Sequence, residues 1–193
     1  DLAVWPLRLV ATADDLAAAN QEMTRSVAAV RQFLAAEGLR APATEVAIQD
    51  FTVSDARAQQ GGYQPGSRYV IRQTLVVRST NPAQVLAASQ RVAELVAQGV
   101  VLSSGQEYGG GGPTFVFTKL NDLKPAMIAE ATARAREGAA QFARDSRSDL
   151  AGIRRASQGV FEILPRDQAP GISQESQPVK VVRVVTTVEY GLR

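Results

Sequence analysis

The sequence predicts an α+β fold: a mostly antiparallel sheet with three helices packed on one face, in the order β-α-β-β-α-β and then β-α-β-β. Three observations carry this expectation. Three segments place apolar residues at helical spacing, at 14–37, 82–98 and 125–148. Strands come in pairs between single helices, so consecutive strands can close as hairpins. The clearest strand, 68–79, alternates: Tyr69, Ile71, Leu75 and Val77 point one way, and Arg68, Arg72, Thr74 and Arg78 the other. One face of its sheet is therefore buried and the other wet, as in an antiparallel sheet covered on a single side.

Along the chain, 2–11 reads as a weaker strand. Pro6 removes a ladder donor, which places this strand at a sheet edge or makes it begin late. Trp5 beside it reads as a packing or edge-strand residue. Over 14–37 the stripe is Leu16, Met23, Val27, Val30 and Leu34, with Asp14 as the expected cap and Gly38 as the stop. Residues 45–54 break phase: Val46 and Ile48 fall on even numbers, Phe51 and Val53 on odd ones. A β-bulge near Gln49–Asp50 restores the inward direction with one inserted residue.

The second helix has Asn81 as capping type, Pro82 at its first position, Val85, Leu86, Val92, Leu95 and Val96 as its stripe, and Gly99 as its stop. Weaker strands follow at 100–107 and 114–120, with the glycines 109–112 as a hairpin tip between them. The third helix shows Ile128, Ala131, Ala135, Ala139 and Phe142 on one side. Its alanines allow close approach to a sheet. Strands at 153–163 and 179–190 close the chain, the latter (VKVVRVVTTVEY) being the richest in β-branched residues. The loops 55–67 and 164–178 hold many of the chain's breakers and are expected to be mobile.

Composition narrows the chemistry. The 193 residues suit one generous domain, taken as 1–193, with possible sub-units 1–108 and 113–193. With no cysteine and no histidine, disulfide frameworks, thiolate nucleophiles, histidine triads and nearly every zinc or haem site are excluded. No cofactor or metal is expected. The 21 basic residues, nearly all arginine, stand against 19 acidic ones, and a net charge of +2 implies no anionic partner. Around the third helix, Lys124, Arg134, Arg136, Arg144, Arg147, Arg154 and Arg155 are interspersed with Glu130, Glu137, Asp145 and Asp149. That is the mixture of a solvated helix face, without the aromatic interleaving of a nucleic-acid surface, so no nucleic-acid partner is expected.

The glycine run lacks the Lys-Ser/Thr ending and the strand-to-helix position of a phosphate-cradling loop. Asp50, Asp55, Glu107 and Glu189 lie in or beside strands. Paired across a cleft they could do acid–base work, but exposed strand positions explain each of them. No catalytic residue is assigned, and the chain is expected not to be an enzyme. Tyr63 and Tyr108 stand in or next to loops and are the expected interface anchors. No stretch reaches the roughly 20 apolar residues of a membrane span. Asp1 as first residue marks a processed or truncated piece.

Several local patterns, in order, resemble the SIMPL-domain family and its periplasmic immunogenic and oxidative-stress-defence branch. They are the helix Ala17-Ala18-Ala19-Asn20 leading to Phe33-Leu34 and Gly38-Leu39, and the strand Ile48-Gln49-Asp50-Phe51-Thr52-Val53. The strand from Tyr69, the Gly99 turn, the alanine-and-basic helix from Ile128 and the closing strand Val184–Leu192 complete the series. The glycine run 109–112 and the Val4-Trp5-Pro6 start depart from the common members and point to a membrane-anchored sub-branch. The resemblance implies a periplasmic or envelope location, behind a cleaved signal or a permanent anchor upstream of Asp1. It also implies homo-oligomers, envelope protein partners and a part in stress tolerance, with no catalytic motif. A small-ligand or glycan-binding module of the periplasm is the alternative.

Overall fold

A computed structural model describes residues 1–58, 66–103 and 111–193, and it contains two sheets where the sequence predicts one. Residues Asp1–Val116 form one unit and Phe117–Arg193 a second.

The first unit runs β1 (Leu2–Ala13), α1 (Leu16–Ala36), β2 (Thr44–Asp55), β3 (Tyr69–Ser79), α2 (Pro82–Gln90), α3 (Ala93–Ala97) and β4 (Thr114–Val116). Its antiparallel sheet has the order β2-β3-β1-β4. Odd-numbered residues of β1 (Ala3, Trp5, Leu7, Leu9, Ala11) and of β3 (Ile71, Leu75, Val77) are buried in one core. Met23, Val30 and Leu34 from α1, Val85 and Ala88 from α2 and Leu95 from α3 close that core from above. Helices on a single face, as expected, explain the period-two burial of both central strands.

Asp15, not Asp14, caps α1, accepting the Ala18 amide at 2.9 Å. Asp14 instead accepts the Arg68 amide at 3.1 Å and ties the end of β1 to the start of β3. Gly38, at φ 75°, turns the chain out of α1, with Leu39 donating to the Leu34 carbonyl at 2.8 Å. The bulge in β2 is present: Ile48 pairs with Leu75, and the next paired residue is Asp50, opposite Thr74.

The segment 82–98 is two helices rather than one. Asn81 caps it and Pro82 opens it as expected, but Arg91 and Val92 donate to carbonyls three residues back and tighten the chain. Ser89 Oγ donates to the Leu86 carbonyl at 2.7 Å, competing with the backbone ladder at that point.

Trp5 lies in an internal strand and is 1 % exposed, so β1 is not an edge. Pro6 is tolerated for a reason that only the pairing reveals. The Val10 amide donates to the Val101 carbonyl and the Ser103 amide to the Arg8 carbonyl, so even-numbered residues of β1 turn their backbone groups away from β3. On that side, β4 covers residues 2–4 and the chain near Leu102 covers residues 8–10. Among the described residues Pro6 falls between the two, where no ladder donor is required. The expected strand 100–107 is thus a single bridge, Leu9–Leu102, with residues 104–107 outside the described ones. Among the described residues it forms no hairpin with 114–120, and Gly109 and Gly110 of the expected tip also lie outside them. Both segments run antiparallel to β1 on its same side and so parallel to each other.

The second unit runs α4 (Leu120–Asp145), β5 (Leu150–Pro165), a 3₁₀ turn at 174–176 and β6 (Lys180–Leu192). The helix starts earlier than predicted and has Pro125 inside. It ends earlier because Arg147 takes a left-handed φ of 53°, with Ser148 donating to the Ala143 carbonyl at 2.9 Å. Its covered stripe is Ile128, Ala131, Thr132, Ala135, Ala139 and Ala143; Phe142 is 76 % exposed, since the stripe advances to Ala143. The strands β5 and β6 form a two-stranded ribbon with three register shifts. At one of them a Cβ on Gly159 would stand 2.7 Å from the Val185 carbonyl oxygen. The connection 166–178 is tied by reciprocal bonds between Asp167 and Gln177 (3.0 and 3.2 Å) and by Lys180 Nζ donating to the Gln174 carbonyl.

Candidate functional site

β2 is an edge strand with β3 on one side and no described strand on the other. Register with β3 assigns its faces. Thr44, Val46 and Ile48 before the bulge, and Phe51, Val53 and Asp55 after it, lie on the helix-bearing face. The core helices cover β1 and β3 and leave most of this row open. Ile48, Phe51 and Val53 are 55 %, 53 % and 47 % exposed. Leu16, at the first turn of α1, is 45 % exposed beside them. Leu16, Phe51, Val53 and the buried Ile71 line an open cavity of about 600 Å³ whose rim carries Asp15 and Asn20. A contiguous apolar shelf along an unpaired strand is where another chain can gain both hydrophobic burial and ladder hydrogen bonds.

The edge is fixed at both ends. At one, Thr44 donates its hydroxyl to the buried Ser79 at 2.8 Å, and Ser79 Oγ accepts the Asn81 amide at 3.2 Å. At the other, Asp55 accepts three bonds from the Arg68 guanidinium, at 3.3, 3.2 and 3.0 Å, and the Arg57 amide at 3.0 Å. The Arg68 hydrogen bonds, followed by the Arg57 amide, hold the Asp55 carboxyl below the ordinary carboxylate value. Arg68 also lies 4.7 Å from the centroid of the Tyr69 ring.

The other sequence candidates are dispersed. Tyr63, Tyr108 and Glu107 lie outside the described residues. Asp50 is exposed on β2, Asp55 is paired as described, and Glu189 sits across the ribbon from Arg155. Among the described residues no three acidic side chains converge as metal ligands would. In the second unit, Met127, Ala131 and Ala135 of α4 and Val182 and Val184 of β6 line an open groove of about 500 Å³. Thr186 Oγ1 is buried there without a hydrogen-bond partner among the described residues. Arg183, which also lines this groove, is bound to Glu162 at 2.8 Å.

The row on β2 escaped the sequence reading because alternation alone sends Ile48, Phe51 and Val53 inward; it does not say that a helix must cover the whole width of a sheet. The bulge was its only signal.

A family model described as "SIMPL: Protein of unknown function (DUF541)" matches residues 1–190. The chain belongs to the SIMPL family. No curated protein matches it significantly. The SIMPL match takes in both units and every strand and helix described above, save the last two residues of β6. No helix of this SIMPL chain, among the described residues, is long and apolar enough to cross a membrane.

Proposed function

We propose that this SIMPL protein is a non-enzymatic component of the bacterial cell envelope that works by self-assembly or protein contacts, with a role in tolerance of envelope or oxidative stress. The observation that carries the contact-based reading is the apolar row Ile48, Phe51 and Val53 on the free edge of β2. Exposing such a row to water is unfavourable, at about 25 cal/mol for each Å² of apolar surface left uncovered, and a docked strand removes that penalty. The second unit supports the same reading. Of its residues only Ala143 and Gly191 are buried, too few for a core of its own. The envelope location rests on the family likeness. Light scattering across a concentration series is the test: reversible growth in mass supports contact-driven action, and a strict monomer at high micromolar concentration overturns it.

The cavity at Leu16, Phe51, Val53 and Ile71 favours a second reading, a binder of a small apolar or glycan ligand. A thermal-shift screen with envelope metabolites separates the two. Ligand stabilisation of a monomer supports the binder, and a flat response across the panel removes it.

A further inference from the structure

We infer that β2 is a self-recognition strand: two copies of this chain pair antiparallel, edge to edge, about a local two-fold axis between Gln49 and Asp50, joining two four-stranded sheets into one of eight strands. The inference rests on the contact-based reading above and adds its partner, its edge and its register.

The argument starts from the bulge. In a regular strand Ile48 and Phe51, three residues apart, point to opposite faces. Here the register shift between Ile48 and Asp50 puts both on the helix-bearing face, with Val46 beyond one and Val53 beyond the other. The apolar row therefore reads the same from either end: Val46, Ile48, then Phe51, Val53. A second copy laid antiparallel about the Gln49–Asp50 midpoint brings its Phe51 opposite Ile48 and its Val53 opposite Val46, all on one face. Such β-branched and aromatic cross-strand pairs are favourable.

Charge agrees with the same register. Glu45 meets Ser54 of the second copy, Asp50 meets Gln49 and Asp55 meets Thr44, so no carboxylate directly faces another. Each Asp55 is also already neutralised by its own Arg68 at 3.0 Å. Edges that must stay unpaired are guarded by lysine, proline, inward-pointing charge or a bulge that twists the edge away; in β2 the bulge instead restores one continuous apolar row. From Thr44 to Asp55 there is no lysine, no arginine and no proline, and the face toward the helices is apolar from Val46 to Val53. An isologous contact of this kind closes on itself as a dimer. The second copy's row would also lie along the open side of the cavity beside Phe51 and Val53.

The chain has no cysteine, so introduced thiols report the register directly. Ile48→Cys and Phe51→Cys variants of the 193-residue chain are prepared separately, mixed after reduction, and oxidised. The mixture is expected to give a covalent dimer of twice 20.6 kDa, joining one chain of each kind, well above what either variant forms alone. Val46→Cys with Val53→Cys should behave in the same way. Phe51→Glu should abolish the dimer in sedimentation velocity while its far-ultraviolet circular dichroism stays that of the parent. A parent chain that stays monomeric overturns both this inference and the contact-based reading. A parent that assembles while the mixed thiols cross-link no better than single ones overturns the β2 register alone, as does a Phe51→Glu chain that is folded and still dimeric.

Discussion

Thr44 and Ser79, at the joined ends of β2 and β3, share a buried hydrogen bond of 2.8 Å between their hydroxyls. Ser79 is the hub of the pair, because its oxygen also accepts the Asn81 amide that leads into α2. Ser79→Ala leaves two donors without their acceptor and should cost about 1–3 kcal/mol in urea unfolding. Thr44→Val removes a donor but leaves Ser79 its bond from Asn81, so its effect should be the smaller of the two. Equal losses from both variants would show that the hub assignment is wrong.

Gly38 meets two demands at once. Its φ of 75° disfavours any side chain, and a Cβ there would overlap the amide nitrogen of Gln84, which donates to the Glu37 carbonyl at 2.7 Å. Gly38→Ala should therefore destabilise by more than the roughly 1–2 kcal/mol of a left-handed residue alone. In a Gln84→Ala background the same substitution should cost less, since the overlap is gone. A double-mutant cycle measures the difference, and strict additivity would refute the proposed overlap.

The Asp55–Arg68 pair makes the first unit sensitive to acid. A carboxyl held below its unfolded value contributes stability that is complete above that value, near pH 4, and fades as pH falls through the lower folded one. The Asp55 carboxyl carbon, followed by NMR, should titrate below the ordinary carboxylate value in the wild-type chain, and Arg68→Gln should return it toward that value. An unchanged midpoint in Arg68→Gln would deny the guanidinium its role.

Trp5 is the sole tryptophan and lies in the core of the first unit, while the 26-residue α4 belongs to the second. The two units differ sharply in burial, so heating at low protein concentration should not be a single transition. Helical ellipticity should fall first, from α4, with Trp5 fluorescence unchanged; the fluorescence should follow at higher temperature. Coincident curves from both probes would show that the units unfold as one.

What the sequence disclosed was chiefly local. The bulge at Gln49–Asp50, the Asn81–Pro82 start and the Gly38 stop each depend on a few neighbouring residues, and each is present. Pairing across long separations was not legible. Nothing in 150–192 says that its two strands pair only with each other, and nothing in 100–116 says that both its segments seek β1 instead of one another. Phe142 shows the same limit on a smaller scale: one residue of drift along an alanine-rich stripe replaces it with Ala143. The candidate site was half legible, since the phase break was visible but the width of the helical cover was not.

On the side of β1 away from β3, the chain is anchored near Leu102 and again at Thr114. Pro6 meanwhile bars β1 from slipping by a single position, which would aim its ring at the neighbouring carbonyls of β3. The alignment of this central strand is therefore guarded by a residue that donates no bond to its own ladder.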